Sequence, residues 1–148
     1  MQGVLGATWG WAFMLHKESL SNRKKGGSMT PILGKTVRMN KTEAKYGRHL
    51  EELKQSGEVL DYRFEPFSMR LAEEKCFYHP DFFVVYPDRF EVHEVKAFDR
   101  KMGKPLMKDD ALVKVKIAST VFPWWEIRIV WWNPTLGVGG EWEYRTFK

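Results

Sequence analysis

The spacing of apolar and polar positions predicts a helix over NKTEAKYGRHLEELKQSG, from Asn40 to Gly57. Three apolar residues follow the spacing i, i+4, i+7 and so share one core-facing side of this helix: Tyr46, Leu50 and Leu53. Asn40 is a favourable N-cap residue, and Glu43 stands three positions later, as in a capping box. Gly57 can end the helix because glycine readily adopts the left-handed conformation.

Farther along the chain, five runs rich in apolar residues predict extended strands, because turn-forming residues separate them. They read LDYRFEPFSMRLAEEK, FYHPDFFVV, FEVHEVKAF, WEIRIVWW and EWEYRTF. The turn YPDR joins the second run to the third, which predicts a hairpin. After a polar loop, DRKMGKPLMKDD, the segment DALVKVKIASTVF predicts a second helix that Pro123 ends.

The predicted order is therefore helix, three strands, helix, strand and a final edge strand. The early strands form a meander, whereas a helix between two strands permits a parallel crossover. This order predicts an α/β domain whose central mixed β-sheet is flanked by helices. A length of 148 residues, 43% of them hydrophobic, agrees with one folded domain that has a moderate core.

Positive charge is concentrated in the first third of the chain. The net charge is +5, yet residues 1–50 contain nine Lys and Arg residues against two Glu residues. We assign residues 1–38 to a basic N-terminal extension or linker and residues 39–148 to the folded domain. The run Arg23, Lys24 and Lys25 indicates either a DNA-binding arm or a solvated linker, and charge alone leaves both readings open.

Charged side chains also stand inside the predicted hairpin. Glu94 and Lys96 share one face of their strand because strand side chains alternate. Asp81 lies five residues before Tyr86, and Glu94 lies five residues after Arg89, so the turn should bring the two carboxylates opposite each other. The pattern predicts a carboxylate pair beside an ammonium group on one sheet face.

Two adjacent carboxylates repel each other unless a cation neutralises them. Mg²⁺ favours one or two carboxylates together with water and phosphate oxygens, and Mn²⁺ accepts the same ligands. Such a metal acidifies a water molecule and orients a phosphate, and Lys96 beside it could hold that water and contact a phosphate oxygen. We therefore predict a Mg²⁺ (or Mn²⁺) site at Asp81 and Glu94, with Lys96 in the chemical step.

These residues resemble the signature of the PD-(D/E)XK nuclease superfamily. The PD element is Pro80–Asp81 and the EXK element is Glu94–Val95–Lys96, with twelve residues between the two acidic positions. Residues 39–132 look like small phage-encoded nucleases of this superfamily and, more distantly, like phage Holliday-junction resolvases. The resemblance implies a restriction-endonuclease-like core of helix, three strands, helix and strand.

By this resemblance, Asp81 and Glu94 bind the metal, the carbonyl group of Val95 adds a ligand, and Lys96 is catalytic. The superfamily's upstream glutamate matches Glu43, for which a helix-capping role alone is an open alternative. The superfamily often places a further basic residue on the helix after the third strand, where this chain has two candidates for DNA contact: Lys114 and Lys116.

The leading hypothesis is a Mg²⁺-dependent DNA endonuclease of phage type that hydrolyses phosphodiester bonds, preferably in junction or branched DNA. DNA is the expected partner, no membrane is involved, and a homodimer is left open. The expected location is the cytoplasm, that of the host cell if the chain is phage-encoded. The alternatives are an inactive nucleic-acid-binding protein on the same fold and a nuclease that acts on RNA. Each site residue also has a non-catalytic alternative that stays open. Asp81 could be a turn residue, and Glu94 and Lys96 could be solvated strand residues.

Overall fold

The computed structural model describes residues 38–148. The predicted extension, residues 1–38, lies outside the described residues except for Arg38. The predicted DNA-binding run Arg23, Lys24 and Lys25 is therefore outside them as well. Within residues 38–148, no helix combines the length and the apolar character that crossing a membrane requires.

Helix α1 (Lys41–Ser56) begins and ends where the sequence predicts. The side chain of Asn40 accepts hydrogen bonds from the backbone N–H groups of Thr42 and Glu43, and the Glu43 carboxylate accepts the backbone N–H of Asn40 at 2.8 Å. This is the predicted capping box. At the other end, Gly57 adopts a left-handed conformation with φ of 84°, and its N–H group reaches the last helical turn.

The remaining elements follow in the order β1 (Asp61–Phe64), β2 (Met69–Ala72), β3 (Cys76–Tyr78), β4 (Phe82–Val85), β5 (Phe90–Lys96), β6 (Phe98–Asp99), β7 (Lys104–Pro105), α2 (Asp109–Val121), β8 (Glu126–Asn133) and β9 (Glu141–Phe147). Five of these strands form one sheet in the order β1-β4-β5-β8-β9. Strands β5 and β8 are parallel and the other pairs are antiparallel. The predicted α/β class with a mixed sheet is confirmed.

Three of the predicted segments differ in detail from the structure. The first run is divided into β1 and β2, and β2 pairs with β3 in a separate hairpin. The second run is divided at Pro80, which cannot donate a ladder hydrogen bond, so β3 leaves the main sheet and only β4 stays in it. The third run is divided after Lys96, and its last residue, Phe98, begins β6. Strand β6 pairs with β7, which lies inside the segment that was expected to be a polar loop.

One helix covers each face of the main sheet. On one face, Tyr46 and Leu50 of α1 pack with Val95 and Val130. On the opposite face, Val115 of α2 packs in a second core that also holds residues of the β2–β3 hairpin. Val95 of β5 therefore enters the first core and Val92 of β5 enters the second, as strand alternation requires. We call these the α1 face and the α2 face.

Candidate active site on the β4–β5 hairpin

The register of β4 against β5 places the two predicted carboxylates opposite each other. Phe82 pairs with His93, so the next position outward sets Asp81 against Glu94. Alternation along β5 puts Glu94 on the α2 face together with Lys96, two residues later. The cross-strand pair that the sequence predicts is therefore present in the fold.

Asp81 is held at this position by the backbone of β5. Its Oδ2 atom accepts a hydrogen bond from the N–H group of Val95 at 2.7 Å. The pKa of Asp81 is raised to about 7, first because the carboxyl group is largely desolvated and next because the Glu94 charge lies close to it. The Val95 hydrogen bond and the Lys96 ammonium group act in the opposite direction, and Glu43 adds a further raising effect. This carboxyl group therefore changes its charge near neutral pH.

Glu94 is buried, and both of its oxygens have partners. Oε1 accepts a hydrogen bond from the Lys96 ammonium group at 2.6 Å, and Oε2 accepts one from the Tyr78 hydroxyl at 2.9 Å. The pKa of Tyr78 is raised well above its ordinary value, first by burial and then by the Glu94 charge, so its hydroxyl keeps the proton that it donates. The β2–β3 hairpin, which carries Tyr78 at its end, thus fixes the orientation of the Glu94 carboxylate.

The backbone of Val95 also takes part in the site. In a β-strand, the N–H and C=O groups of one residue point to the same side of the strand. Since the Val95 N–H group points at Asp81, its carbonyl oxygen opens on the same side, beyond the end of β4. That position is compatible with the metal-ligand role that the resemblance implies for Val95.

Glu43 belongs to the cap of α1 and is close enough to the pair to influence it. Its carboxylate accepts hydrogen bonds from both the backbone and the side-chain nitrogens of Asn40. At the same time its charge raises the pKa of Asp81, although the two residues make no direct hydrogen bond. The capping role is confirmed, and the proposed catalytic role remains a prediction.

The donor set fits one hard divalent cation. When Glu43, Asp81, Glu94 and Lys96 are all ionised, three negative charges lie near one positive charge. Two negative charges therefore remain uncompensated. The available donors are carboxylate and carbonyl oxygens, which are the ligands that Mg²⁺ prefers. No group of three or more His, Cys, Asp or Glu side chains placed to hold a metal occurs in residues 38–148. A metal here would therefore depend on two carboxylates, the Val95 carbonyl and water, and it would compete with Lys96 for Oε1 of Glu94.

The two predicted DNA-contacting lysines of α2 are not part of this cluster. Lys114 is half-buried and Lys116 is exposed. Within the described residues, neither makes an ion pair with Asp81 or Glu94, and the one ion pair of the cluster joins Lys96 to Glu94. Their role in DNA binding remains a prediction, and the geometry does not choose between them.

A second polar cluster, on the α1 face, was not expected from the sequence. His93 Nε2 lies 2.7 Å from Glu91 Oε2, and His93 Nδ1 lies 2.7 Å from the Tyr46 hydroxyl. Because a carboxylate can only accept, Nε2 carries the proton, so Nδ1 accepts from Tyr46. The Arg128 guanidinium reaches the same Glu91 oxygen at 2.9 Å, and Arg89 binds the other one.

This network joins α1, β5 and β8 beneath a cleft of about 350 Å³. Glu91 and His93 are almost fully buried. Burial lowers the pKa of His93, which keeps the imidazole neutral. Burial alone would raise the pKa of Glu91, but the hydrogen bonds from His93 and Arg89 outweigh it and lower that pKa. A signal was present in the sequence, since Glu91 and His93 alternate with apolar residues in FEVHEVK. The carboxylate and its arginine partners could be matched only in three dimensions.

Comparison of the chain with protein-family models, with curated proteins and with solved structures gave no match.

Proposed function

We propose that this chain is a metal-dependent endonuclease that hydrolyses DNA phosphodiester bonds on a restriction-endonuclease-like core. The observation that carries the proposal is the cluster of Asp81, Glu94 and Lys96 at the end of the β4–β5 hairpin. Burial next to the Glu94 carboxylate raises the pKa of Asp81 to about 7, and such shifted values are concentrated at functional sites. The order of α1, β1, β4, β5, α2 and β8 is compatible with that core.

Each residue has a role that follows from its surroundings. Asp81, Glu94 and the Val95 carbonyl would hold Mg²⁺ or Mn²⁺. When bound, such an ion supplies positive charge for the phosphate and makes its water more acidic. Tyr78 orients Glu94 through its hydroxyl. Lys96 carries its ammonium group beside Glu94 and can place a proton-bearing nitrogen against the phosphate or the attacking water.

DNA with a branch or junction is the proposed substrate class. This step depends on the resemblance to phage nucleases, because no element of the described chain has the form of a major-groove reader. Recognition of shape fits a small enzyme with a basic N-terminal extension.

The test is cleavage of matched substrates by the purified protein in Mg²⁺. Single-stranded, duplex, flap and four-way-junction DNA and one RNA duplex would be compared under single-turnover conditions. We expect cleavage of DNA that EDTA abolishes, with at least a hundredfold loss in Asp81→Asn and Glu94→Gln. Asp88→Asn is the matched control, because it removes a carboxylate from the exposed turn at the far end of the same hairpin.

One observation favours a second candidate, a DNA-binding protein without turnover. Both oxygens of Glu94 already have protein partners, and a stable Glu94–Lys96 ion pair needs no metal. Mn²⁺ titration separates the two candidates. The nuclease proposal predicts binding that Asp81→Asn abolishes and that weakens about tenfold from pH 8 to pH 6, because a carboxyl group with a pKa of about 7 must lose its proton. DNA binding by the wild type, together with equal Mn²⁺ binding by the wild type and Asp81→Asn, would favour the inactive alternative.

A further inference from the structure

A cavity of about 530 Å³ opens on the α2 face beside the candidate active site. Its floor is formed by β8, one wall by the β6–β7 hairpin and the start of α2, and the other wall by β9. Its principal lining residues are Asp99, Lys104, Leu106, Leu112, Trp131 and Arg145. The volume lies in the range of sites that hold one small organic molecule.

The cavity begins one strand away from Lys96. Lys96 of β5 pairs in parallel register with Trp131 of β8, and neighbouring strands lie about 4.8 Å apart. Paired residues project from the same face of a sheet, so Trp131 and Lys96 both lie on the α2 face at neighbouring strand positions. A base bound against Trp131 would therefore lie one strand away from a phosphate at Lys96, a separation that a single nucleotide can span.

The Trp131 ring is held in place before any ligand arrives. Its indole N–H group donates to Glu143 Oε2 at 2.9 Å, and the Asn133 side-chain amide donates to the same oxygen at 2.7 Å. A ring fixed by its neighbours loses little freedom when another flat group packs against it. It therefore provides a rigid wall for an aromatic ligand.

The polar lining of the cavity combines two carboxylates, which suit a base, with two cationic side chains. The carboxylates of Asp99 and Asp109 line it, and they would repel an anion but can accept hydrogen bonds from amino groups. Asp99 Oδ1 is already used by the backbone N–H groups of Lys101 and Met102, which fixes this side chain and leaves Oδ2 for a ligand. Lys104 and Arg145 also line the cavity and are exposed, so they are available to phosphates of the same strand.

We propose that this cavity binds one unpaired nucleobase of the DNA strand whose phosphate lies at Lys96. The inference rests on the proposed nuclease function and specifies its substrate: DNA with an unpaired nucleotide next to the cut, as at a bulge, flap or branch point. A paired base is held in its stack and enters only at the cost of unstacking. An unpaired base bearing an amino group, such as adenine or cytosine, meets both the apolar wall and the carboxylates.

The test combines a binding signal with a cleavage ratio. A duplex with one bulged 2-aminopurine is bound by the full chain in Ca²⁺, and its fluorescence should fall at least twofold as the base stacks on Trp131. In Mg²⁺, a duplex with one bulged adenine should be cut at least tenfold faster than the fully paired duplex. A bulged abasic site should lose this preference, because the backbone bends but no base enters.

Leu106→Trp fills the mouth of the cavity and is expected to fold, because Leu106 is 54% exposed. We expect it to abolish both the fluorescence change and the preference for the bulge, while the paired duplex is cut at the wild-type rate. Leu60→Trp is the matched control, with a residue that is 55% exposed and outside the cavity lining. Unchanged fluorescence on binding, or a bulge preference that survives Leu106→Trp, would overturn the inference. Absence of all cleavage would instead refute the nuclease proposal, and the fluorescence change would still decide whether the cavity binds a base.

Discussion

At the scale of single residues, the fold acts most clearly on the ionisation of Asp81. Burial and the facing Glu94 carboxylate raise its pKa to about 7, from an unfolded value near 3.8. A group whose pKa is raised on folding contributes stability that is fully present below the unfolded pKa and is lost as the pH rises through the folded pKa. Ionised Asp81 is therefore a destabilising charge above pH 7 when no metal is bound.

Asp81→Asn should accordingly stabilise the metal-free protein at high pH. The asparagine keeps an oxygen for the Val95 N–H group but carries no charge. We expect a gain of about 1 kcal/mol or more at pH 8 and little gain near pH 4, where wild-type Asp81 is protonated. Urea denaturation in EDTA across this pH range measures it. A gain that is the same at both pH values, or one that Asp88→Asn reproduces, would contradict the assignment of the charge to Asp81.

Lys96→Ala tests the chemical role of the ammonium group. The substitution leaves Asp81 and Glu94 in place and frees Oε1 of Glu94, so Mn²⁺ should bind at least as tightly as in the wild type. Single-turnover cleavage should nevertheless fall by about a hundredfold or more, the scale of a positioned acid–base group. Lys96→Arg should not restore the rate fully, because guanidinium is planar and does not give up its proton.

DNA binding in Ca²⁺ would be measured in parallel, with Lys101→Ala as the control, since Lys101 is an exposed lysine of the β6–β7 turn. Cleavage by Lys96→Ala at the wild-type rate would show that Lys96 is only the ion-pair partner of Glu94.

At the scale of elements, the first turn of α1 contains Glu43, which caps the helix and has a proposed second role in catalysis. Glutamine at position 43 can still accept the Asn40 N–H group, because capping boxes use either Glu or Gln, whereas alanine cannot. We expect Glu43→Ala to lower the free energy of unfolding by about 1 kcal/mol and Glu43→Gln to change it little. Cleavage should fall in both variants if the Glu43 charge serves the active site. Wild-type cleavage by Glu43→Gln would leave Glu43 with the capping role alone.

The buried network on the α1 face makes a separate prediction about how α1 is attached to the sheet. Tyr46→Phe removes the donor to Nδ1 of His93 and leaves a buried acceptor without a partner. The expected cost is about 1–3 kcal/mol of unfolding free energy, measured in urea at pH 7.5. Tyr144→Phe removes a hydroxyl group from an exposed tyrosine and should cost far less. Equal effects of the two substitutions would show that the hydrogen bond contributes little.

At the scale of the whole molecule, the basic extension is proposed to add phosphate contacts. Removing residues 1–38 takes away one acidic residue, Glu18, and six basic ones: Lys17, Arg23, Lys24, Lys25, Lys35 and Arg38. If these groups contact duplex DNA, the slope of log affinity against log salt should flatten by up to about 0.9 for each lost contact. The shortened chain should fold, because residues 39–148 include both cores that the described residues form. An unchanged slope would place the extension away from DNA.

The sequence by itself determined those features whose physical cause is local. The ends of α1 depend on Asn40, Glu43 and Gly57, all within one turn of the atoms that they satisfy. Strand alternation placed Glu94 and Lys96 on one face, and the short turn after β4 brought Asp81 opposite Glu94. These inferences needed only the periods of helix and strand and the length of one hairpin.

The tertiary structure alone decided the features that join distant segments. Tyr78 reaches Glu94 from β3, which pairs with β2 outside the main sheet. The raised pKa of Asp81 results first from burial by the assembled domain. The Glu91–Arg128 ion pair and the cavity beside Trp131 depend on the parallel pairing of β5 with β8 across the α2 crossover. Burial and long-range strand pairing depend on the whole chain at once. The pattern of residues within one segment therefore cannot predict them.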